Sequence, residues 1–312
     1  MRVRKRAVAL VFGGVLVLLG AGAGCGPGTA QAPVTSAVAP RNAAAAEYTI
    51  GQFNMAGGNM EHGGKGDEAP DALAREIEQR GPAFVTLQEA CRDWNERLES
   101  LLPGYRVVFH PVTSADGSKG RCKHPSDFGN AILLRDDLGF DPATAVPHRL
   151  GSPAGYERRE MLCVRSERRR IVVCSAHLSY GAGGARQRVR LNEALTAGRI
   201  LAVEYAGYTR FLGGDLNDDP LSETAGAFYD PGYQRSAHGE FKEAASPCGN
   251  DIKPGYWGSS PQTWIWCRSA PPTHGQGKID YIFVERRLRV LWTEITQAVH
   301  SDHVALWAGV EL

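Results

Sequence analysis

The sequence predicts a four-layered α/β sandwich, in which two mixed, mainly antiparallel sheets pack face to face and helices cover the outside. Two observations point to it. Helical patterns alternate with strand-like runs in only part of the chain, and elsewhere strand follows strand with no helix between. A doubly wound parallel sheet needs a crossover between successive strands, so the pattern favours layered sheets.

The first 46 residues stand apart from that fold. Arg2, Arg4, Lys5 and Arg6 form a basic segment, Ala7 to Leu19 is an apolar stretch short for a membrane span, and small residues lead to Cys25. That order is the pattern of an export signal, placed at 1–25. The residues around Cys25 resemble a bacterial lipobox, with Gly22 where that pattern usually has Leu, while Ala21-Gly22-Ala23 also suits an ordinary signal peptidase. Cys25 is the candidate lipid attachment site. The chain is expected outside the cytoplasm of a bacterium, either as a surface lipoprotein or secreted. Residues 26–46, rich in Ala, Pro, Gly, Thr and Ser, read as a flexible linker. About 265 residues remain for one domain over 47–312.

Each element of that domain carries its own signal. Glu47 to Asn54 alternates Tyr48 and Ile50 with small or polar residues and reads as a strand. Residues 56 to 68, rich in Gly, Asn and charge, form a loop. Pro70 to Arg80 reads as a helix with Leu73 and Ile77 on one face, stopped by Gly81-Pro82. Ala83 to Leu87 is an apolar strand ending at Gln88-Glu89, and a helix with Trp94, Leu98 and Leu101 on one face follows. Tyr105 to Phe109 and Asn130 to Leu134 are strands flanking a polar loop, Thr113 to Asp127. Ile171 to Ala176 ends at His177, and the longest helix runs from about Ala185 to Tyr205. Its Leu191, Ala194, Leu195, Gly198, Leu201, Ala202 and Tyr205 form one stripe, with Arg186, Arg188, Arg190 and Arg199 facing elsewhere. Phe211-Leu212 leads into Gly213-Gly214-Asp215, and Ile279 to Val284 and Val304 to Val310 supply the last strands.

Charge and cysteines bound the function. The formal charge of +1 includes the four cations of the signal, so without 1–25 it becomes −3. Composition therefore forces no broad basic face for nucleic acid, although a local arginine groove is compatible with it. Seven cysteines are odd in number. With Cys25 set aside, six remain, and in an exported protein they read as three disulfides among fifteen formal connectivities. Cys163 and Cys174 lie symmetrically in two strand-like runs about a polar turn, Glu167 to Arg169, and are paired on that ground. Cys248–Cys267 and Cys91–Cys122 follow by elimination.

The chemistry is concentrated at the ends of the apolar runs: Asn54, Glu89, His177, Asp215, Asn217, Asp280 and Ser301-Asp302-His303. Carboxylates, amides and imidazoles delivered together from strand ends suit a hard divalent cation and a phosphate ester. Asp215 and Asn217 straddle Leu216, so on an extended segment both point to one face. The glycines before them permit close approach of backbone to substrate.

Gln88-Glu89, Gly129-Asn130-Ala131-Ile132-Leu133, Ser175-Ala176-His177-Leu178, Gly213-Gly214-Asp215-Leu216-Asn217, Lys278-Ile279-Asp280-Tyr281 and Ser301-Asp302-His303 resemble, in order, the motifs of the endonuclease/exonuclease/phosphatase superfamily. The resemblance covers 47–312. It implies a Mg²⁺-dependent phosphodiesterase (Mn²⁺ or Ca²⁺ being alternatives), with Glu89 as principal metal ligand, Asn54 orienting it or the metal, and Asp302 as a second ligand to metal or water. His303 is expected to be general base or phosphate-polarising cation, with Asp280 fixing its tautomer. Asp215 would align the attacking water and Asn217 donate to a phosphate oxygen. His177 would donate to a non-bridging oxygen or protonate the leaving group, and Arg158 or Arg159 would add a phosphate contact. The expected substrate is a phosphodiester, with nucleic acid favoured, and the expected state a monomer. A sphingomyelinase-like or inositol-phosphate phosphoesterase is the alternative, for which Tyr256-Trp257 and Trp264-Ile265-Trp266 are candidate membrane-contact aromatics. A non-catalytic binding module on the same fold is the third reading.

Overall fold

Alternation along the strands decides which layer each residue enters, and the layers account for most of the core among the described residues. A computed structural model describes residues 46–59, 68–151, 157–250, 265–297 and 300–312. The export signal, Cys25, nearly all of the linker, Tyr256-Trp257 and Trp264 lie outside the described residues. The first sheet contains β1 (Glu47–Asn54), β2 (Phe84–Cys91), β3 (Tyr105–Pro111), β4 (Phe128–Arg135), β11 (Arg289–Thr296) and β12 (Ala305–Glu311), in the order β11-β12-β1-β2-β4-β3. The second contains β5 (Asp141–Arg149), β6 (Glu160–Ser166), β7 (Ile171–His177), β8 (Thr209–Asp215), β9 (Phe241–Glu243) and β10 (Asp280–Glu285), in the order β5-β6-β7-β8-β10-β9. Helices α1 (Glu68–Arg80) and α2 (Arg92–Leu101) cover the first sheet. Helix α3 (Gly184–Val203) and the short α4 (Glu223–Gly226) cover the second.

Three buried clusters match the three gaps between four layers. Val85, Leu87, Ala131 and Leu133 meet Leu73, Ile77, Trp94 and Leu98 on the helix side of the first sheet. Cys163, Val172, Leu212 and Phe283 meet Ala194, Ala197, Ile200 and Leu201 on the helix side of the second. Ile50, Phe84, Ile132, Leu162, Val173, Phe211 and Ile282 fill the space between the sheets. The two-residue period sends neighbours to opposite faces, and both faces of β2 are buried: Val85 and Leu87 toward the helices, Phe84 toward the other sheet.

Each sheet has one parallel pair joined by a helix: β1 with β2 through α1, and β7 with β8 through α3. The other pairings are antiparallel. Both parallel pairs end at the same edge of the sandwich, and there the inter-sheet layer turns polar. Its residues run Ile50, Gln52, Asn54 on β1, Phe84, Thr86, Gln88 on β2, and Val173, Ser175, His177 on β7. Gln52 and Gln88 exchange side-chain hydrogen bonds of 2.5 and 3.0 Å. Thr86 donates to Gln52 (2.7 Å) and Gln88 to Ser175 (3.0 Å). Each such bond adds about 1 kcal/mol, and an unpaired partner would cost more, so the network fixes how the sheets meet beneath the site.

The disulfides join Cys91–Cys122, Cys163–Cys174 and Cys248–Cys267, as expected. Cys163 and Cys174 are register partners on β6 and β7, with Cα atoms 4.1 Å apart. Such bonds persist in oxidising compartments and fit an extracytoplasmic environment. No helix among the described residues is long and apolar enough to cross a membrane.

Two expectations need correction. On α3 the buried side is Arg190, Glu193, Ala194, Ala197, Ile200 and Leu201, while Leu195 is 42% exposed. Arg190 is stabilised inside by Asp218 (3.2 Å) and the carbonyl of Gly181 (2.6 Å), compensation that a hydrophobic stripe does not register. The glycines before Asp215 serve packing: a Cβ on Gly213 would stand 1.9 Å from Thr86 Oγ1 of the facing sheet.

Candidate active site

The site lies where the strands run out. Asn54 ends β1, His177 ends β7 and Asp215 ends β8, with His177 and Asp215 register partners across the parallel pair. Asp280 opens β10 opposite Asp215, and His303 precedes β12. Glu89 sits in a β-bulge, where Gln88 and Glu89 of β2 face only Asn130 of β4. Its φ of 50° is left-handed, as is that of Asn217 at 52°. Non-glycine residues there cost of order 1 kcal/mol each, strain that concentrates at sites requiring an unusual side-chain direction.

These ends border a cleft of about 530 Å³ whose lining includes Glu89, Arg159, His177, Asp215, Asn217, Asp302 and His303. Glu89 Oε2 accepts the Gly58 N–H at 3.0 Å. Asn54 is wholly buried behind the cleft, donating from Nδ2 to Asp215 Oδ2 (3.1 Å) and accepting the Ala56 N–H on Oδ1 (3.0 Å). Asp280 is also fully buried, and its Oδ2 lies 2.8 Å from His303 Nδ1. That leaves His303 Nε2 toward the cleft, 3.9 Å from Asp215 Oδ2. Asn217 is held by its N–H to Asp215 Oδ1 (2.8 Å) and its Nδ2 to the Leu178 carbonyl (3.1 Å). Asp302 Oδ2 accepts from Asn59 Nδ2 at 3.0 Å. Of the two arginines, Arg159 borders the cleft, paired with Glu157 at 3.0 Å, whereas half-buried Arg158 donates to the Ala115 carbonyl.

Electrostatics separate the roles. Burial opposes charge on His303, but Asp280, with Asp215 and Asp302, outweighs it and raises its pKa to about 9. Burial, then the Asp280 charge, pushes Asp215 up to about 7, against the lowering effects of His303, the Asn217 N–H and the Asn54 amide. Burial, Arg159 and His303 hold His177 well below the usual imidazole range, so it is neutral. Near neutral pH the cleft thus offers an imidazolium, a carboxylate close to its midpoint and a neutral imidazole.

Three lining groups escaped the sequence reading. Arg121 and Lys123 reach the cleft from the polar loop on either side of Cys122, whose disulfide to Cys91 ties that loop beside β2. The cysteine pairing was the available signal. His274 arrives through a backbone bridge to His303, and no periodicity marks it.

The donors suit a hard cation. Glu89 and Asp302 carboxylates share the cleft, held by the Gly58 N–H and the Asn59 amide, which leaves further oxygen lone pairs for an ion.

The chain matches the model of the Endonuclease/Exonuclease/phosphatase family over residues 51–303, and belongs to that family. It is therefore a hydrolase of a group acting on phosphodiesters or phosphate monoesters and generally dependent on divalent metal. Among solved structures it resembles the human nocturnin catalytic domain with bound sulfate, at 18% identity and TM-score 0.61, covering 85% of this chain and 93% of that one. A D. rerio TDP2 complexed with single-strand DNA product matches at 12% identity and TM-score 0.56, covering 85% and 99%. A mannosyl-6-phosphatase from Bacteroides thetaiotaomicron VPI-5482 matches at 16% identity and TM-score 0.58, covering 85% and 100%. No curated protein matches the sequence significantly.

Proposed function

We propose that this chain is an extracytoplasmic, monomeric, Mg²⁺-dependent phosphodiesterase acting on nucleic acid. The observation that carries it is the convergence of Glu89, His177, Asp215, Asn217, Asp302 and His303 on one cleft, with Arg121, Lys123 and Arg159 at its walls. Three cations around a carboxylate-lined centre suit a substrate with more than one phosphate.

Glu89 and Asp302 would hold the ion, with Asn54 bracing Asp215 from behind. When bound, Mg²⁺ supplies charge neutralisation at the phosphoryl and leaving oxygens. Asp215 aligns the attacking water and takes its proton. His303, kept charged by Asp280, binds a non-bridging oxygen. Neutral His177 and the Asn217 amide donate to the remaining phosphate oxygens. This reading gives His303 the role of the phosphate-polarising cation and His177 that of the hydrogen-bond donor.

A lipid phosphoesterase is the second reading, favoured by one observation: Trp266 is 53% exposed beside exposed Ile265. The test offers the purified protein plasmid DNA, RNA, sphingomyelin and bis-p-nitrophenyl phosphate, with Mg²⁺ or with chelator. Cleavage of DNA or RNA, abolished by chelator and by Glu89→Ala or His303→Ala, is the expected result. Hydrolysis of sphingomyelin alone would overturn the nuclease reading, and no hydrolysis of any ester would favour a binding module.

A further inference from the structure

His274 has no part in the chemistry above, yet the fold places it with care. The Thr273 carbonyl accepts the Val304 N–H (2.9 Å), and His274 and His303 form an antiparallel bridge. A tight turn closes behind His274, whose N–H donates to the Gly277 carbonyl at 3.0 Å. The two imidazoles consequently lie side by side, centroids 4.6 Å apart and planes at 36°. His274 Nε2 is 3.4 Å from Asp302 Oδ2, and His303 Nε2 is 4.0 Å from Asp302 Oδ1. One donor atom from each residue falls within 4.8 Å of the others.

We propose that His274, Asp302 and His303 form a binding site for a borderline divalent metal, zinc above all, which shares Asp302 with the oxygen-ligated ion assigned to Glu89 and Asp302 but differs from it in taking two imidazoles. Donors about 2.1 Å from a tetrahedral ion stand roughly 3.4 Å apart, so donors already within 4.8 Å of one another would close by up to about 1.4 Å around the ion. Two imidazoles and one carboxylate suit zinc and disfavour magnesium, which takes oxygen. The supporting shell is already built. Asp280 at His303 Nδ1 is the carboxylate–histidine arrangement that orients a ligand, and Asn59 steadies Asp302. The cleft side leaves room for a fourth, exchangeable ligand.

Zinc in this position would occupy His303 Nε2, the ring nitrogen that faces the cleft. That atom could then no longer contact a phosphate oxygen, so zinc would inhibit hydrolysis. That consequence rests on the proposed role of His303, whereas the site itself does not.

The experiment titrates tag-free, magnesium-free protein with zinc chloride by calorimetry and with cobalt chloride by visible absorption. It compares wild type, His274→Ala, His274→Gln and His238→Ala, the last altering an exposed histidine that contacts the Ser236 carbonyl. We expect one ion per chain, a tetrahedral cobalt spectrum, binding weakened at least about tenfold in both His274 variants, and no change in His238→Ala. Absence of zinc binding, or equal binding in the His274 variants, overturns the site. Zinc inhibition is read separately, as a fraction of each variant's own zinc-free rate with Mg²⁺. It should require about tenfold more zinc in His274→Ala. A protein that binds zinc through His274 but hydrolyses no phosphodiester would refute the proposed function and leave the metal site standing.

Discussion

Asn54 and Asp215 come from different sheets, yet their side chains are joined by a hydrogen bond of 3.1 Å. The amide donates to the carboxylate assigned to the attacking water, and so lowers a pKa that burial raises. Removing the donor in Asn54→Ala should raise that pKa further, by about half to one unit. With Mg²⁺ saturating, the acid limb of the kcat/KM profile then moves to higher pH and the plateau falls. An acid limb that stays in place would assign the proton to another group.

Asp280 Oδ2 lies 2.8 Å from His303 Nδ1, the contact through which it is proposed to act. Asp280→Asn keeps the volume but removes the charge that most favours the imidazolium, and offers the ring a donor or acceptor unmatched to its protonation. We expect kcat to fall about 10²- to 10⁴-fold, with the basic limb of the rate profile shifting to lower pH. Circular dichroism would confirm folding, since Asp280 is fully buried and near Gln52 Nε2 at 3.4 Å. A loss below tenfold would make the pair structural.

The central strands were legible because burial on both faces leaves continuous apolar runs, as in Ile171 to Cys174. The strands the reading passed over lie at sheet edges: β5 with Pro142 and Pro147, the short β9, and β11 with exposed Arg289, Leu291, Thr293 and Glu294. An edge strand needs neither two apolar faces nor every N–H, so its sequence looks like loop. The candidate site was legible for a related reason: polar residues closing apolar runs are conspicuous. Arg190 and His274 were not, because buried ion pairing and a loop-to-loop bridge leave no local period.

Stability should depend on pH through the same cluster when metal is withheld. The folded pKa of His303 is raised to about 9, so its contribution is complete below about 6.5 and disappears as pH climbs through 9. Asp215 is raised to about 7, so its ionisation penalises the fold from about pH 4 upward and fully above 7. Both effects make the domain less stable as pH increases across that window, by on the order of 3 to 4 kcal/mol for each group taken alone. Urea unfolding in chelator, compared with His303→Ala, checks this: the variant should lose most of the decline above about pH 6.5. Parallel pH dependences would contradict the assignment.

Two disulfides close loops of different reach, and only one touches the cleft. Cys91–Cys122 spans 31 residues and holds the loop bearing Arg121 and Lys123, while Lys123 N–H also donates to the Gly57 carbonyl at 3.0 Å. Cys163–Cys174 spans 11 and lies under α3. Chain entropy assigns about 3–4 kcal/mol to the first and about 3 kcal/mol to the second. The double substitution Cys91→Ala/Cys122→Ala should therefore lower stability and also raise KM about tenfold, because the two cleft-lining cations lose their tether. Cys163→Ala/Cys174→Ala should lower stability by a similar amount with KM within about twofold. Denaturant titration with steady-state kinetics on a plasmid substrate distinguishes the two. Equal KM values would mean that the loop holds its position without the sulfur bridge.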